Sequence, residues 1–141
     1  MAYTLQSHTP VLLDEVMKLL ALREGSVVLD GTAGAGGHAE EIARRIGPGG
    51  TLVCLDQDSD ALALASVRLS TCAVKTRFLN TNFRNLASAL DTFSIPSVDA
   101  ILLDLGISGM HLTDSQRGFS FERDEPLLMT MQHPLPEGRE T

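Results

Sequence analysis

Three aspartates in this sequence each stand at the end of a short apolar run. Asp30 lies directly before a glycine-rich segment, 31–38, while Asp56 and Asp104 end two later runs. If these runs are parallel strands, the three carboxylates meet at the carboxyl edge of one sheet, where open α/β sheets bind ligands. Glycines in a strand-to-helix turn let the backbone approach a ligand closely, because a Cβ atom would clash there. The pattern therefore predicts a ligand site.

The ligand is predicted to be a cation rather than a dinucleotide. From Gly34 the chain reads Gly-Ala-Gly-Gly-His-Ala, so the last glycine of G-x-G-x-x-G is absent. Carboxylates disfavour a pyrophosphate, whereas adenosylmethionine carries an ammonium and a sulfonium. Asp56, 19 residues after Gly37, is suited to binding the two hydroxyls of a ribose. The alternative, that the aspartates are only strand ends and helix caps, stays open.

The order of elements predicts the fold class α/β, as part of a doubly wound, Rossmann-like parallel sheet. Together with the predicted adenosylmethionine site, this indicates a partial sheet of the class I methyltransferase type. Strand one is expected in the centre, strands two and three on one side, and strand four on the other. We assign 1–106 to an adenosylmethionine-binding half and 107–141 to a substrate-side loop region and tail. The predicted strands are 26–30, 51–56, 75–80 and 98–105, and the predicted helix starts are Thr9-Pro10, about His38, Asp58 or Ser59, and Asn82.

The run from Val98 to Leu105 is almost continuously apolar, which is typical of a strand covered on both faces. An open apolar edge favours aggregation, and no later segment of the sequence is suited to cover this one. We therefore expect the sequence to be the front portion of a longer protein, or its edge to be covered by a second copy in a homodimer.

Composition limits the classes of function. The chain has 43% hydrophobic residues and a net charge of −7, so it lacks the basic footprint of a nucleic-acid-binding face. No run of about 18 apolar residues predicts a membrane span, and the N-terminus has no signal-peptide pattern, so we expect a cytoplasmic protein. Cys54 and Cys72 do not have metal-ligand spacing, which favours reduced thiols and no metal.

Four motifs in order closely resemble the MraW family of ribosomal RNA small-subunit methyltransferases. The resemblance covers about residues 8–131, and it implies a bacterial enzyme that uses S-adenosylmethionine to methylate the N4 amino group of a cytidine in small-subunit rRNA. The motifs are His8-Thr9-Pro10-Val11-Leu12-Leu13-Asp14-Glu15, Asp30-Gly31-Thr32 through Gly36-Gly37-His38, Asp104-Leu105-Gly106-Ile107-Ser108 and Arg117-Gly118-Phe119-Ser120-Phe121.

The resemblance also implies roles for individual residues. Asp56 would hold the ribose hydroxyls, Phe83 would lie against the adenine, and Asp104 would lie near the methionine or adenine end. His111 stands where the family usually has a glutamine. The residues expected to bind the cofactor are Asp30, Gly34, Gly36, Gly37, His38, Asp56, Phe83, Asp104 and His111.

Methylation of a cytosine amino group requires hydrogen-bond acceptors, because the nitrogen lone pair is delocalised into the ring and the nitrogen must be held in line with the methyl group. Asp104, Ser108 and the carbonyls of 105–107 are the predicted acceptors, and no covalent intermediate is required. Phe119 and Phe121 are suited either to stacking on a base or to anchoring a loop.

Several features leave alternatives open. Ser108-Gly109 replaces the family's Ser-Ser, and 124–132 lacks the usual acidic and basic side chains. A silent fragment that binds the cofactor without methylating anything is the main alternative, and a small-molecule methyltransferase is a third reading. His8 and His133 are interpreted as structural or solvated, and the pair Met129 and Met131 as core filling.

Overall fold

The computed structural model describes residues 10–107, 118, 119, 124, 126 and 128–134. They form a four-stranded parallel sheet in the order β3-β2-β1-β4, which confirms the predicted arrangement around a central first strand. The strands are β1 (Val27–Asp30), β2 (Thr51–Asp56), β3 (Lys75–Asn80) and β4 (Ala100–Leu102), and the helices are α1 (Leu13–Leu20), α2 (Gly37–Ile46), α3 (Ser59–Leu69) and α4 (Leu86–Thr92).

The two central strands are apolar because both of their faces are covered. On one face, β1 and β2 pack with α1, α2 and α3 around a core that includes Met17, Ile42 and Leu52. On the other face, Leu29 and Val53 lie in a smaller cluster that α4 and its flanking residues cover. This alternation of side chains between two layers explains the near-continuous apolar runs of the sequence.

The strand register places the predicted site residues at one edge. Asp30 pairs with Cys54 of β2 and with Leu102 of β4, while Asp56 is the last residue of β2. Parallel strands end on the same side of a sheet, so the residue that follows each strand faces the same cleft. The fold thus supplies the common carboxyl edge that the sequence predicted.

The fourth strand is shorter and more exposed than predicted. It covers Ala100–Leu102 instead of 98–105, and Ile101 and Leu103 are 43% and 39% exposed. The cause is its neighbour: β1 ends at Asp30, and the Gly31 amide then donates to the Leu102 carbonyl at 2.9 Å. Beyond that bond β1 has become the glycine turn and offers no further partner. The prediction of a strand covered on both faces was wrong for β4.

The helix starts were predicted with mixed success. Asp58 is the N-cap of α3, and its carboxylate accepts from the amides of Asp60 and Ala61. Asn82 caps a short 3-10 turn, Phe83–Asn85, that leads into α4. The first helix begins at Leu13, after Leu12 in a left-handed conformation, so the prediction of a start at Thr9-Pro10 was wrong; Thr9 lies outside the described residues.

Cys54 is fully buried in the core and Cys72 is half-buried, and neither forms a disulfide. Burial raises the pKa of the Cys54 thiol well above its ordinary value, and the nearby charge of Asp30 adds to this effect. The predicted burial of the Cys54 thiol is confirmed. In the part of the chain that the structure describes, no helix is long and apolar enough to cross a membrane.

Candidate functional site

Asp30 is a buried carboxyl group at the centre of the carboxyl edge. It is 1% exposed, and its Oδ1 accepts from the Thr32 amide at 3.1 Å. Burial raises the pKa of Asp30 from 3.8 to about 7; the hydrogen bond from Thr32 opposes this rise, and the negative charges of Asp56 and Asp104 add to it. The three aspartates therefore lie close enough to interact, as the sequence predicted.

The glycine-rich turn is held by the second aspartate. The Gly34 amide donates to Asp56 Oδ2 at 2.8 Å, and the Asp58 amide donates to Asp56 Oδ1 at 2.9 Å. Both carboxylate oxygens thus accept hydrogen bonds from backbone amides. Asp56 couples the turn after β1 to the loop after β2, so it organises both walls of the cleft.

Two glycines of the turn are required by close packing. Gly36 has φ +85°, and a Cβ atom there would lie 3.1 Å from the Ala65 Cα atom on α3. A Cβ atom on Gly37 would lie 2.8 Å from Cγ of Pro10. These contacts let α2 begin against α3 and the segment around Pro10.

Phe83 lies beside the first residue of the turn. A Cβ atom on Gly31 would be 3.2 Å from the Phe83 Cβ atom and 2.5 Å from Cδ2 of Leu103. The structure therefore brings half-buried Phe83 to the edge of the site, on the 3-10 turn that follows Asn82. The capping pattern at Asn82 was the sequence signal for this turn.

Asp104 reaches the site through two contacts. Its amide donates to Thr32 Oγ1 at 2.8 Å, and its Oδ2 lies 3.8 Å from His38 Nδ1. The His38 Nε2 atom is in turn 3.1 Å from the Val11 carbonyl oxygen. The Asp104 side chain is 55% exposed, whereas that of His38 is 10% exposed, so the carboxylate is available to a ligand.

Some predicted residues lie outside the described residues or were interpreted wrongly. Ser108, His111 and Phe121 lie outside them, so their roles remain predictions. Phe119 is half-buried. Met129 is 66% exposed, so its interpretation as core filling was wrong, whereas Met131 is half-buried.

The sequence did not predict that His133 contacts the loop after β2. Its amide donates to the Gln57 carbonyl at 2.8 Å, and the Ser59 amide donates to the His133 carbonyl at 3.0 Å. Its Nδ1 lies 3.3 Å from Asp60 Oδ2 and 3.2 Å from Ser59 Oγ. The structural role interpreted for His133 agrees with these contacts, but a separation of 74 residues from Ser59 left no local signal for them.

One side-chain cluster has metal-ligating atoms. Atoms of Asp58, Asp60 and His133 lie within 4.8 Å of one another. Asp58 already caps α3, and the positive end of the helix dipole disfavours a cation there. The cluster is thus accounted for as a cap and an ion pair that hold the 128–134 segment to the loop.

Comparison with known sequences supports one family over nearly the whole chain. A model of the "MraW methylase family" matches residues 5–136. A Ribosomal RNA small subunit methyltransferase H of Nitratidesulfovibrio vulgaris is 48% identical over 88% of this chain, and one of Symbiobacterium thermophilum is 42% identical over 92%. The chain spans 34% and 41% of the length of these two relatives.

Solved structures agree in fold. A putative rRNA-methylase from Clostridium thermocellum matches 72% of this chain and 54% of its own, with a TM-score of 0.60 and 20% identity. TrmN from Thermus thermophilus matches 68% of this chain and 28% of its own, with a TM-score of 0.53 and 35% identity. With the glycine turn and three aspartates on one edge, and with the family model matching residues 5–136, the chain belongs to the MraW methylase family.

Proposed function

We propose that this chain is the cofactor-binding part of an S-adenosylmethionine-dependent methyltransferase acting on the N4 amino group of a cytidine in small-subunit rRNA. The observation that carries the proposal is the cluster of Asp30, Asp56 and Asp104 around the glycine turn. A cleft bordered by three carboxyl groups is suited to a ligand with an ammonium and a sulfonium. The names of the relatives supply the rRNA substrate, and the motif resemblance supplies the N4 position.

Each wall of the cleft has a proposed role toward the cofactor. Asp56 would bind the ribose hydroxyls through its carboxylate, and Phe83 would lie against the adenine. Asp104, which is exposed just after β4, would bind the positively charged methionine end of the cofactor. Gly34, Gly36, Gly37 and His38 would form the floor with backbone groups, and His111 would add a contact.

The residues of this chain need only position the cytosine amino group and stabilise the positive charge that develops on its nitrogen. The cofactor supplies a methyl group on a sulfonium. Asp104 and Ser108 would accept hydrogen bonds from the cytosine amino group, so that its nitrogen lies in line with that methyl. As the N–CH₃ bond forms, positive charge develops on the nitrogen, and a carboxylate acceptor stabilises it. The S–CH₃ bond would break with its electron pair left on the sulfur, and the amino group would pass one proton to the Asp104 carboxylate, which returns it to solvent.

The test of the cofactor site is calorimetry with S-adenosylmethionine. Wild type should bind it with a stoichiometry of one, and Asp56→Ala should weaken binding by about tenfold or more, because a charge-assisted hydrogen bond to the ribose is lost. Asp91→Ala, which removes an exposed carboxylate on α4, serves as the control. Equal affinities for the two variants would contradict the proposed role of Asp56.

The test of the reaction is transfer of a labelled methyl group to isolated small ribosomal subunits. Transfer to one cytidine N4 supports the proposal, and Asp104→Asn should reduce the rate. Cofactor binding without any transfer would support the alternative of a silent binding protein. The proposal also includes a homodimer that covers β4, which analytical ultracentrifugation tests. It further includes a cytoplasmic location, which cell fractionation tests.

A further inference from the structure

We propose that the His38 side chain is a positioning residue, which holds the Asp104 carboxylate at the cleft and ties it to the N-terminal segment. This role differs from the backbone contact to the cofactor proposed for the same residue. It rests on the proposed function, since Asp104 is the group whose position matters for the cofactor. The contacts of the imidazole ring carry the inference.

The ring bridges two segments that are distant in sequence. Nε2 lies 3.1 Å from the Val11 carbonyl oxygen, and Nδ1 lies 3.8 Å from Asp104 Oδ2. The side chain is 10% exposed, so the ring is packed in place and does not move freely in solvent. His38 therefore joins the segment before α1 to the segment after β4 across the start of α2.

The chemistry of the two acceptors fixes the protons of the ring. A carbonyl oxygen accepts hydrogen bonds and cannot donate them, so Nε2 must carry a hydrogen toward Val11. In the neutral ring Nδ1 then presents a lone pair to the Asp104 carboxylate, which is repulsive. In the imidazolium both nitrogens carry hydrogens, and the contact with Asp104 becomes an attractive ion pair. The positioning contact thus belongs to the protonated ring.

Asp104 is held at its backbone as well as at its side chain. Its amide donates to Thr32 Oγ1 at 2.8 Å, and the Thr32 amide donates to Asp30 Oδ1 at 3.1 Å. The backbone hydrogen bond fixes the position of the Asp104 main chain. The contact with His38 restricts rotation about the Asp104 side-chain bonds. Without the ring, the half-exposed carboxylate would sample several rotamers, and ordering it would reduce ligand affinity.

The other charged groups near the start of α2 have partners of their own. Arg68 of α3, whose guanidinium lies near Gly37, is 3.9 Å from Glu40. Glu41, one turn along α2, pairs with Arg44 and Arg45. Within the described part of the chain, Asp104 is the charged group recorded beside the His38 ring, and Asp30 lies within electrostatic range of Asp56 and Asp104.

Two substitutions separate the two arms of the ring. In His38→Asn, the amide nitrogen replaces Nδ1 and can donate to Asp104 without reaching Val11. In His38→Gln, the amide nitrogen replaces Nε2 and can donate to Val11 without holding Asp104. Each is made in the wild-type and the Asp104→Ala background, and Glu41→Gln on the same helix is the matched control. Circular dichroism and thermal unfolding confirm that each variant folds.

Calorimetry with S-adenosylmethionine is the first readout. We expect His38→Gln to weaken binding about tenfold with Asp104 present and less than about twofold in Asp104→Ala, as a coupled pair requires. His38→Asn should lose no more than about threefold. Equal losses for both variants in both backgrounds would overturn the inference in favour of a packing role.

NMR of the ring nitrogens is the second readout, and it needs no cofactor. We expect the Nδ1 signal of His38 to change in Asp104→Ala, because the carboxylate 3.8 Å from that nitrogen is removed, while the Nε2 signal, whose atom faces the Val11 carbonyl, should change less. An unchanged spectrum in that variant would overturn the inference. If the wild-type chain binds no S-adenosylmethionine at all, the proposed function fails, while this comparison still decides whether His38 and Asp104 are paired.

Discussion

At the residue scale, the electrostatics of the site centre on Asp30. The sequence correctly predicted that Asp30 ends a buried strand. It did not predict that Asp30 itself is only 1% exposed. That burial puts its pKa at about 7, so the site holds one carboxyl group that is partly protonated near neutral pH. A cation entering the cleft favours the ionised form.

Asp30 should make the stability of the fold depend on pH. Its pKa is raised from 3.8 to about 7 in the folded state, so between these values the folded chain keeps a proton that the unfolded chain has released. Its contribution to stability is therefore complete below the lower value and is lost as the pH rises toward the upper one. From pH 5.5 to 8, the loss should be about 2 kcal/mol.

Urea denaturation of wild type and Asp30→Asn at these two pH values measures this effect. The variant cannot ionise, so its free energy of unfolding should fall less over the interval than that of wild type. Asp91→Asn, at an exposed position of α4, should keep the wild-type pH dependence. A difference between pH 5.5 and 8 that is the same in all three proteins would contradict the assignment to Asp30.

At the scale of elements, the turn between β1 and α2 depends on glycine for two separate reasons. Gly36 needs a left-handed backbone and also has the Ala65 Cα atom 3.1 Å from the position of a Cβ. Gly25 has nearly the same φ, +83°, but nothing lies within 4 Å of its Cβ position. The two glycines therefore allow the backbone cost to be separated from the packing cost.

Gly25→Ala should destabilise the chain by about 1 kcal/mol, which is the cost of a left-handed alanine. Gly36→Ala should cost about 1–3 kcal/mol more, because α2 and α3 must separate to admit the methyl group. Thermal unfolding of both variants measures the difference. Equal destabilisation would mean that the close contact between the turn and α3 is not required.

The N-cap of α3 is a second element whose stability can be tested. Asp58 Oδ1 accepts from the Asp60 amide at 3.0 Å and from the Ala61 amide at 3.3 Å. Asp58→Ala should lower the free energy of unfolding by about 1 kcal/mol or more, since two amides lose their acceptor. Asp58→Asn keeps a capping oxygen and should lose less in the same urea titration; a loss as large as that of alanine would assign the effect to charge.

At the scale of the whole molecule, the 128–134 segment contacts the sheet edge next to Asp56. The contact joins residues more than seventy positions apart through His133. It places a late segment of the chain beside the loop that follows β2, so the order of that loop and of the proposed ribose site should depend on it.

His133→Ala should loosen the loop without unfolding the sheet. The Ser59 amide donates to the His133 carbonyl, and the loss of the ring contacts with Ser59 and Asp60 should raise hydrogen exchange at that amide by about fivefold, as expected for one modest polar contact. Gln132→Ala, at an exposed neighbouring position, is the control. Unchanged exchange at Ser59 would show that the backbone pairing alone holds the segment.

Sequence patterns predicted the bounds of β2 and β3 and the glycine turn, because these depend on apolar runs, turn residues and caps that lie within a few positions of one another. The strand order and the common edge of the three aspartates followed from these elements once the general rules for parallel sheets were applied. The motifs, being local as well, indicated the MraW family.

Tertiary packing set the length and exposure of β4, the neighbours of Phe83, and the contacts of His38 and His133. β4 is short because β1 turns away after Asp30, and a strand can extend only as far as its partner does. His38 lies between Val11 and Asp104, segments that the sheet brings together from opposite ends of the fold. Such contacts depend on which elements pack together, which is why no sequence spacing predicted them.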